Sequence, residues 1–516
     1  MSNGLSREQS PGSRDMGLKT EILGVSPAPL QAIPQGRCGG DIGGTKTEVY
    51  VQHQDGRRGR SFVDTYTPRT GEDAEGIMLG LVGTTTQAVL LACKDAGIEL
   101  SELDSLGFGV PGSRTASGIK MVNITGKKSV PFEENLRDTL RDRGAMLKAL
   151  EHAGIQMAVP ENGLSDGAVV RLGNDADMAA ATPTLGEQDK LVVVAPGVGV
   201  PGVLGEGEKR ITITLGTGIG GGVLMRVGGE NIIDEGAHGV MELGHVSVPT
   251  EVDDQSVRAC SCGMDKPGQI CVERASSVTG MNNFTRYFAQ KAVLAGTDEG
   301  KGLEELLRET QKWTAEKMIE SGIAPERKQR MLRSNEVIDQ VLEKRDGGYL
   351  LDPERRAALL YNVAFDARPT SEASLGTVPK SAVAAEALES SGRHLGKYLL
   401  SVIRMCNPAE IVIFGGGANR FKQTHYSGEL KSLPGDLEDS DALRSYDEAL
   451  VNSWRDNPFA RGMLSELVLD SPDTWKSIAQ TRIVVPELEG RNIAAEGAMG
   501  HAVTVFCKSR KGQTDK

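Results

Sequence analysis

The sequence is poor in cysteine and has no excess of positive charge. Seven cysteines among 516 residues are too few for the disulfide framework of a small secreted protein, and three of them are clustered, which indicates a reducing compartment and one candidate metal site. Lys and Arg total 58 and Asp and Glu total 70, so the net charge is -12. This balance argues against broad binding to nucleic acids or anionic membranes, because both require basic patches.

Long apolar runs are also missing. The longest, from Leu191 to Leu204, is interrupted by prolines and glycines and is too short to span a bilayer. Residues 1–36 contain turn formers and charges without the apolar segment of a signal peptide, and we expect them to form a disordered tail. These features favour a soluble, cytoplasmic protein.

Glycine, in contrast, is abundant, with 64 residues, and it is concentrated beside predicted strands. The segments GGDIGGTKTEVYV (39–51) and ITITLGTGIGGGVLM (211–225) each predict two strands joined by a glycine turn. A third cluster, GGG (415–417), follows a predicted strand from Ile411 to Phe414. This recurrence indicates two halves of related construction.

Glycine turns of this kind allow a backbone to approach a ligand, and their successive N–H groups can bind anions. Any one of them alone is more often a simple hairpin. No P-loop motif occurs, and GTGIGG (216–221) is followed by strand residues rather than by a helix. Dinucleotide binding is therefore not predicted.

Asn174 and Asp175 directly follow a predicted buried strand, Val169 to Leu172. Functional side chains collect at strand ends in α/β proteins. A carboxylate there can accept a hydroxyl proton in phosphoryl transfer, and the neighbouring amide can orient the same acceptor. The alternative is an Asx turn or a helix N-cap at Asp175, which is the commoner role of an isolated Asn-Asp pair.

One histidine and three cysteines match the ligand set of a closed, tetrahedral zinc site. They are His245, Cys260, Cys262 and Cys271. Four protein ligands leave no open coordination position, which favours structural zinc over catalytic zinc. The alternative is a set of unrelated buried thiols.

An ordered series of motifs resembles the ROK family (repressors, open reading frames and sugar kinases) within the actin-like/hexokinase ATPase superfamily. The motifs are DIGGTKT (41–47), GVPG (109–112), VNITG (122–126), GND (173–175), LGTGIGGG (215–222), GAHGVMELGH (236–245), the cysteine cluster and IFGGGAN (413–419). The resemblance implies an α/β protein with the two-lobed actin-like ATPase (ribonuclease H-like) fold, in which ATP and a sugar meet in the interdomain cleft.

The resemblance also implies a division into domains. Residues 37–172 would form a small α/β lobe, completed by a C-terminal helix at about 491–508, and residues 173–490 a large α/β lobe with a zinc loop at 245–273. A charged, helical segment at about 284–372 and a polar segment at about 421–478 are interpreted as inserts. The resemblance assigns them no role, and oligomer contacts and a lid are open alternatives.

Site roles follow from the same resemblance. Asp175 would be the general base that deprotonates the sugar hydroxyl, and Asp41 would help to hold the Mg²⁺–phosphate assembly. Sugar hydroxyls would be bound by Asn123, Asn174, Glu242, His245 and Glu273. The nucleotide would be bound by Asp41, Gly43, Gly44, Thr45, Lys46, Thr217, Gly218, Gly416 and Gly417.

The expected function is an ATP-dependent hexose kinase, with glucose as the default substrate and with ATP, Mg²⁺ and structural Zn²⁺ as cofactors. A homodimer or homotetramer is the expected assembly. N-acetylhexosamines, mannose and fructose are open alternatives, as is a donor other than ATP.

A sugar-responsive regulator is less favoured, because no helix-turn-helix pattern or basic face precedes Asp41. The segment between Cys262 and Cys271 is longer than the family's usual spacing, which leaves open whether Cys271 binds zinc.

Overall fold

The computed structural model of the protein covers most of the predicted core. It describes residues 34–43, 46–115, 118–120, 129–181, 191–197, 203–216, 218–233, 243–260, 262–263, 266–296, 298, 382–418, 421, 440–454, 456–468, 479–486 and 492–514. Nearly all of the predicted N-terminal tail and most of the predicted insert at 284–372 lie outside the described residues.

The chain alternates strands with helices, as the predicted α/β class requires. The strands are β1 (Gly36–Ile42), β2 (Lys46–His53), β3 (Arg58–Asp64), β4 (Leu103–Val110), β5 (Ser113–Thr115), β6 (Gly118–Lys120), β7 (Val169–Asn174), β8 (Leu191–Ala195), β9 (Lys209–Leu215), β10 (Ile219–Val227), β11 (Glu230–Ile233), β12 (Ser247–Pro249), β13 (Gln269–Cys271), β14 (Glu410–Phe414) and β15 (Arg482–Pro486). The helices are α1 (Ala74–Ala96), α2 (Phe132–Arg141), α3 (Arg143–His152), α4 (Asp175–Ala180), α5 (Gln255–Arg258), α6 (Val272–Ser276), α7 (Val278–Ala295), α8 (Ala382–Cys406), α9 (Ser440–Ser453), α10 (Pro458–Val468) and α11 (Ile493–Thr514).

Two sheets share one strand order. The first sheet has the order β3-β2-β1-β4-β7, and the second has the order β11-β10-β9-β14-β15-β8. In each, an antiparallel meander of three strands continues into two parallel strands, and β8 adds an antiparallel edge to the second sheet. The chain therefore contains two α/β halves of related construction, with the strand order of the actin-like ATPase fold.

Helix α1 covers one face of the first sheet. Asp73 caps its N-terminus by accepting a hydrogen bond from the N–H of Gly76 at 2.8 Å, and the helix ends at Gly97 with a φ of 65°. Among the described residues, α1 is the one helix long and apolar enough to cross a membrane, and 72% of its most apolar window is buried inside the protein. Its apolar character is that of a core helix packed on β2 and β3.

Helices α8 and α10 pack closely together beside the second sheet. Trp454, Phe459 and Met463, which lie within the segment predicted as an insert at 421–478, are buried in the core of this half. Glu389 of α8 forms an ion pair with Arg461 of α10. The described part of the segment therefore builds the hydrophobic core.

Helices α4 and α11 lie between the two sheets. Helix α4 packs against β4 of the first sheet and β10 of the second. Helix α11 packs on β1 and β4 so closely that a Cβ at Gly39 or Gly107 would collide with its main chain. Ala179 of α4, Phe414 of β14 and Ile493 of α11 form one small buried cluster. The carboxyl end of β7, where α4 begins, is thus enclosed by both halves.

Candidate functional site

Asp175 is the first residue of α4, directly after β7. The helix cap is Asn174, whose Oδ1 accepts hydrogen bonds from the N–H groups of Ala176 at 2.9 Å and Asp177 at 3.3 Å. Asn174 Nδ2 donates to the carbonyl of Gly112 at 3.1 Å. Asn174 therefore satisfies the helix end and fixes the strand–helix junction.

The Asp175 side chain is half-buried and is oriented locally. Its Oδ1 accepts a hydrogen bond from the N–H of Ala176 at 2.9 Å. The neighbouring residues of α4, from Ala176 to Ala180, are all buried. Asp175 is therefore the acidic residue in the first turn of α4 whose carboxylate is accessible at this junction.

Three parallel strands bring Asp41 and Asp175 to one edge of the first sheet. In the register of β1, β4 and β7, Asp41 lies beside Gly109, and Gly109 lies beside Gly173. Adjacent strands are about 4.8 Å apart, so Asp41 and Gly173 are separated by about 10 Å. The start of α4 packs directly over Gly109, where a Cβ would lie 3.0 Å from Asp175 Cα.

Asp41 belongs to a buried hydrogen-bonded cluster. Asn492 Nδ2 donates to Asp41 Oδ2 at 2.9 Å and to Glu48 Oε2 at 2.8 Å. Glu48 Oε1 also accepts hydrogen bonds from Tyr50 at 2.8 Å and from Arg60 at 2.6 Å. Burial raises the pKa of Asp41, and the Glu48 charge raises it further, whereas the Asn492 hydrogen bond lowers it.

The first glycine turn joins β1 to β2. The N–H of Gly43 donates to the carbonyl of Lys46 at 2.8 Å, and the Gly43 carbonyl accepts from Thr65 Oγ1 at 2.8 Å. Lys46 is exposed, and its ammonium lies 4.7 Å from the centre of the Phe62 ring. The Lys46 side chain is therefore placed over an aromatic ring on the sheet surface.

The second glycine turn joins β9 to β10, and Glu273 supports it. The N–H of Ile219 donates to Glu273 Oε2 at 3.1 Å, and a Cβ at Gly218 would collide with the same oxygen. The N–H of Val278 donates to the Gly216 carbonyl at 2.9 Å. Because α6 and α7 both hold this turn, its backbone is fixed beside the start of β10.

The third glycine cluster follows β14. Gly415 has a φ of 96°, a left-handed conformation that favours glycine. Gly417 packs against Leu215 at the end of β9, immediately before the second turn, and against Met281 of α7. The second and third clusters are therefore neighbours at one edge of the second sheet.

His245, Cys260, Cys262 and Cys271 come together in one group. Their ligand atoms all lie within 4.8 Å of one another. His245 Nδ1 lies 3.4 Å from Cys260 Sγ, and Cys262 Sγ lies 3.4 Å from Cys271 Sγ. The segment between Cys262 and Cys271 is longer than the family's usual spacing, but the Cys271 thiol still lies beside the other three side chains. One nitrogen and three sulfurs could hold a tetrahedral metal ion.

Electrostatics around these thiols favour a thiolate at Cys260. Burial alone would raise the pKa of Cys260, but hydrogen bonds from His245 and from Cys262 outweigh it and lower the pKa to about 6. Burial and the hydrogen bond with Cys262 raise the pKa of Cys271. A bound cation would remove this rise in the pKa of Cys271, because metal ligation deprotonates thiols.

Several predicted site residues lie outside the described residues. They are Gly44, Thr45, Asn123, Thr217 and Glu242. Glu48 and Asn492 were not among the site residues predicted from the sequence. An Asn before an apolar helical segment is a typical N-cap signal, and side-chain alternation across the first hairpin would have placed Glu48 beside Asp41.

The chain is similar to one protein family in sequence and to several solved structures. Among solved structures, the ROK family glucokinase from Streptomyces griseus, in complex with glucose and AMPPNP, is 18% identical, with a TM-score of 0.45 over 91% of this chain and 99% of that chain. The ROK hexokinase from Thermus thermophilus is 18% identical, with a TM-score of 0.41 over 92% and 99%. A ROK family transcriptional regulator, a homologue of the E. coli MLC protein, is 13% identical, with a TM-score of 0.46 over 92% and 80%.

No curated protein matches the sequence. The fold assignment rests on the strand order of the two sheets. The sequence model of the ROK family matches residues 203–321, which include the second glycine turn, His245 and the three clustered cysteines. This match confirms the resemblance of the chain to the ROK family.

Proposed function

We propose that the protein is an ATP-dependent sugar kinase of the cytoplasm that phosphorylates a hexose hydroxyl, with glucose as the first candidate. The observation that carries this proposal is the position of Asp175. It lies at a helix start enclosed by both halves, at the same sheet edge as Asp41. Phosphoryl transfer requires a positioned base, a cation site and dipoles around the transferred group.

Asp175 serves as the general base in this mechanism. Its carboxylate takes the proton of the sugar hydroxyl as the hydroxyl oxygen forms a bond to the γ-phosphorus. The bond between that phosphorus and the oxygen bridging to the β-phosphate breaks, and ADP leaves with that oxygen. The Ala176 N–H holds Oδ1 in place, and Asn174 fixes the helix start on which the carboxylate stands.

The nucleotide is assigned to the glycine turns and to Asp41. When bound, Mg²⁺ neutralises phosphate charge, and Asp41 is the carboxylate placed to orient it. The phosphates are assigned to Gly43, Gly44, Thr45, Lys46, Thr217 and Gly218, and the adenosine to Gly416 and Gly417. Lys46 would have to leave its position over Phe62 to reach a phosphate.

The sugar is assigned to hydrogen-bonding side chains from both halves. They are Asn123, Asn174, Glu242, His245 and Glu273. Glu273, one of these residues, also contacts the second turn, because it accepts a hydrogen bond from the N–H of Ile219. A sugar bound to Glu273 would therefore also stabilise the turn assigned to the phosphates.

We assign structural zinc to His245, Cys260, Cys262 and Cys271. Cys271 immediately precedes α6, which carries Glu273, so the metal would fix two sugar ligands at once. His245 Nδ1 faces Cys260, and Nε2 is the ring nitrogen that we assign to a sugar hydroxyl. Zinc supplies rigidity here, and no step of the transfer runs through it.

The test is ATP-dependent ADP release from the zinc-loaded, full-length protein across glucose, mannose, fructose, allose and the N-acetylhexosamines. Release with one sugar, together with its phosphate ester in the products, would support the proposal and identify the substrate. Polyphosphate in place of ATP tests the alternative donor. Sugar binding without product from any donor would overturn the kinase proposal in favour of a sugar-responsive regulator.

A further inference from the structure

Asn492 connects two acidic side chains that face each other across the first hairpin. Asp41 and Glu48 are directly opposed in the antiparallel ladder of β1 and β2, and Glu48 is only 9% exposed. Like charges in opposed positions destabilise a sheet. The Asn492 amide offsets this by donating to both carboxylates, at 2.9 Å and 2.8 Å.

The orientation of Asn492 is set by α11. Its Oδ1 accepts from the N–H of Ala495 at 3.2 Å, and its carbonyl accepts from the N–H of Glu496 at 3.0 Å, so it caps the helix. With the oxygen directed to the helix, the NH₂ group is directed to the carboxylates. The tight packing of α11 on Gly39 fixes the distance to β1.

The second acidic residue is anchored from the other side. Glu48 Oε1 accepts hydrogen bonds from Tyr50 and Arg60, and Glu48 also forms an ion pair with Arg60. These contacts fix the Glu48 side chain from the side opposite Asn492. The Asn492 amide lies between Glu48 and Asp41 and donates to both.

We propose that Asn492 is a positioning residue for Mg·ATP, because its amide holds the Asp41 carboxylate at the sheet edge. This inference rests on the proposed function, since it concerns the same nucleotide site. Asn492 lies about 450 residues from Asp41 in sequence, so the C-terminal helix completes a site that begins on the first strand.

The position of the Asp41 carboxylate is the property that this arrangement controls. Without the Asn492 amide, Asp41 would face the Glu48 carboxylate directly across the ladder, and it would lose the hydrogen bond that holds it at the sheet edge.

The test substitution is Asn492→Ser. Serine caps helices as well as asparagine does and leaves the net charge unchanged, but it has no amide to bridge the two carboxylates. Mg·ATP affinity is measured by calorimetry without sugar. We expect the variant to bind about tenfold more weakly than wild type, because a charge-assisted hydrogen bond has been lost.

Two further variants separate positioning from helix capping. Asn457 caps α10 by accepting from the N–H of Ala460 at 3.0 Å, so Asn457→Ser makes the same change at another cap and should bind Mg·ATP as wild type does. Adding Glu48→Gln to Asn492→Ser removes the charge opposed to Asp41 and should restore most of the affinity.

The outcomes distinguish the inference from the proposed function. Wild-type affinity of Asn492→Ser would overturn the inference alone, provided that the wild-type protein binds Mg·ATP. A weakening that Glu48→Gln does not relieve would also overturn it, because that result indicates a structural role. Failure of the wild-type protein to bind Mg·ATP would overturn the inference and the proposed kinase together.

Discussion

At the scale of single residues, Asn174 caps helix α4, and its neighbour Asp175 is the proposed proton acceptor. The sequence left open whether Asp175 caps a helix, and the structure gives that task to Asn174, which accepts from two N–H groups. Asp175 then occupies the first helical position with its carboxylate half-buried. The assignment of Asp175 as the base is consistent with this division, because the helix does not require its side chain as a cap.

Gly218 is the residue at which a side chain would displace Glu273 from the second turn. A Cβ there would collide with Glu273 Oε2 and force Glu273 to give up the Ile219 hydrogen bond of 3.1 Å. We expect Gly218→Ala to destabilise the protein by about 1–3 kcal/mol, measured as a lower midpoint of thermal unfolding.

Gly216→Ala is the matched control in the same turn. The nearest atom to its Cβ would be the Gly218 carbonyl oxygen at 3.8 Å, an ordinary contact. The midpoint should therefore change little in this control. Equal midpoints for Gly218→Ala and wild type would show that Glu273 does not support the turn.

Local sequence signals identified some residues of the site and missed others. Asp175 was recognisable because it follows a strand, and Gly218 because it lies in a glycine-rich turn. The contact between Asn492 and Asp41 joins opposite ends of the chain, and no local pattern records it. The contact of Glu273 with the second turn likewise depends on the packing of α6.

At the scale of secondary-structure elements, the group of one histidine and three cysteines joins segments that are too short to be stable alone. They come from the turn at Leu243–His245, the segment after α5, and the end of β13. The only strand pairing in this region that the structure describes is the three-residue ladder between β12 and β13. A metal ion would supply the order that so few hydrogen bonds cannot.

We expect the purified protein to contain about one zinc per chain. Cys260→Ser should lower both the zinc content and the unfolding midpoint, measured by elemental analysis and calorimetry. Cys406→Ser, at the end of α8 and outside the group, is the control and should retain the metal. Wild-type protein without zinc, purified without chelators, would contradict the assignment.

Sequence patterns predicted several elements well and one segment poorly. The apolar spacing between Val383 and Met405 predicted a helix that the structure extends over Ala382–Cys406. The segment at 421–478 read as a polar insert because its charged residues outnumber its aromatic ones. Its few aromatics, Trp454 and Phe459 among them, are nevertheless buried against Phe421. The average composition of a segment does not show which of its residues are buried.

At the scale of the whole molecule, one buried histidine links stability to pH. His394 of α8 hydrogen-bonds to the Ser390 carbonyl at 2.6 Å and to Thr250 Oγ1 at 2.9 Å. Burial lowers the pKa of His394 from 6.5 to about 4. The unfolded chain therefore binds a proton that the folded protein does not, once the pH falls below about 6.5.

This difference predicts a loss of stability on acidification. Between pH 6.5 and pH 4, His394 should cost the folded state about 3 kcal/mol. We expect thermal unfolding midpoints of wild type to fall more steeply over this window than those of His394→Gln, which cannot ionise there. Parallel midpoint curves for the two proteins would refute the prediction.

The sequence predicted that the molecule has two related halves, but it did not predict which helices pack between them. Recurrent glycine hairpins predicted two related sheets, and the shared strand order confirms this. The packing of α4 and α11 between the sheets depends on alanines and glycines that carry no periodic signal. Those helices enclose the edge at which Asp41 and Asp175 lie.

The most direct test of the account compares wild type with Asp175→Asn. Sugar binding is measured by calorimetry, and turnover by ADP release with the sugar identified from the panel. We expect the variant to fold and to bind sugar as wild type does, since Asn174 retains the cap, while turnover falls by about 10²–10⁴-fold because the base is gone. Near-wild-type turnover in Asp175→Asn would contradict the central assignment.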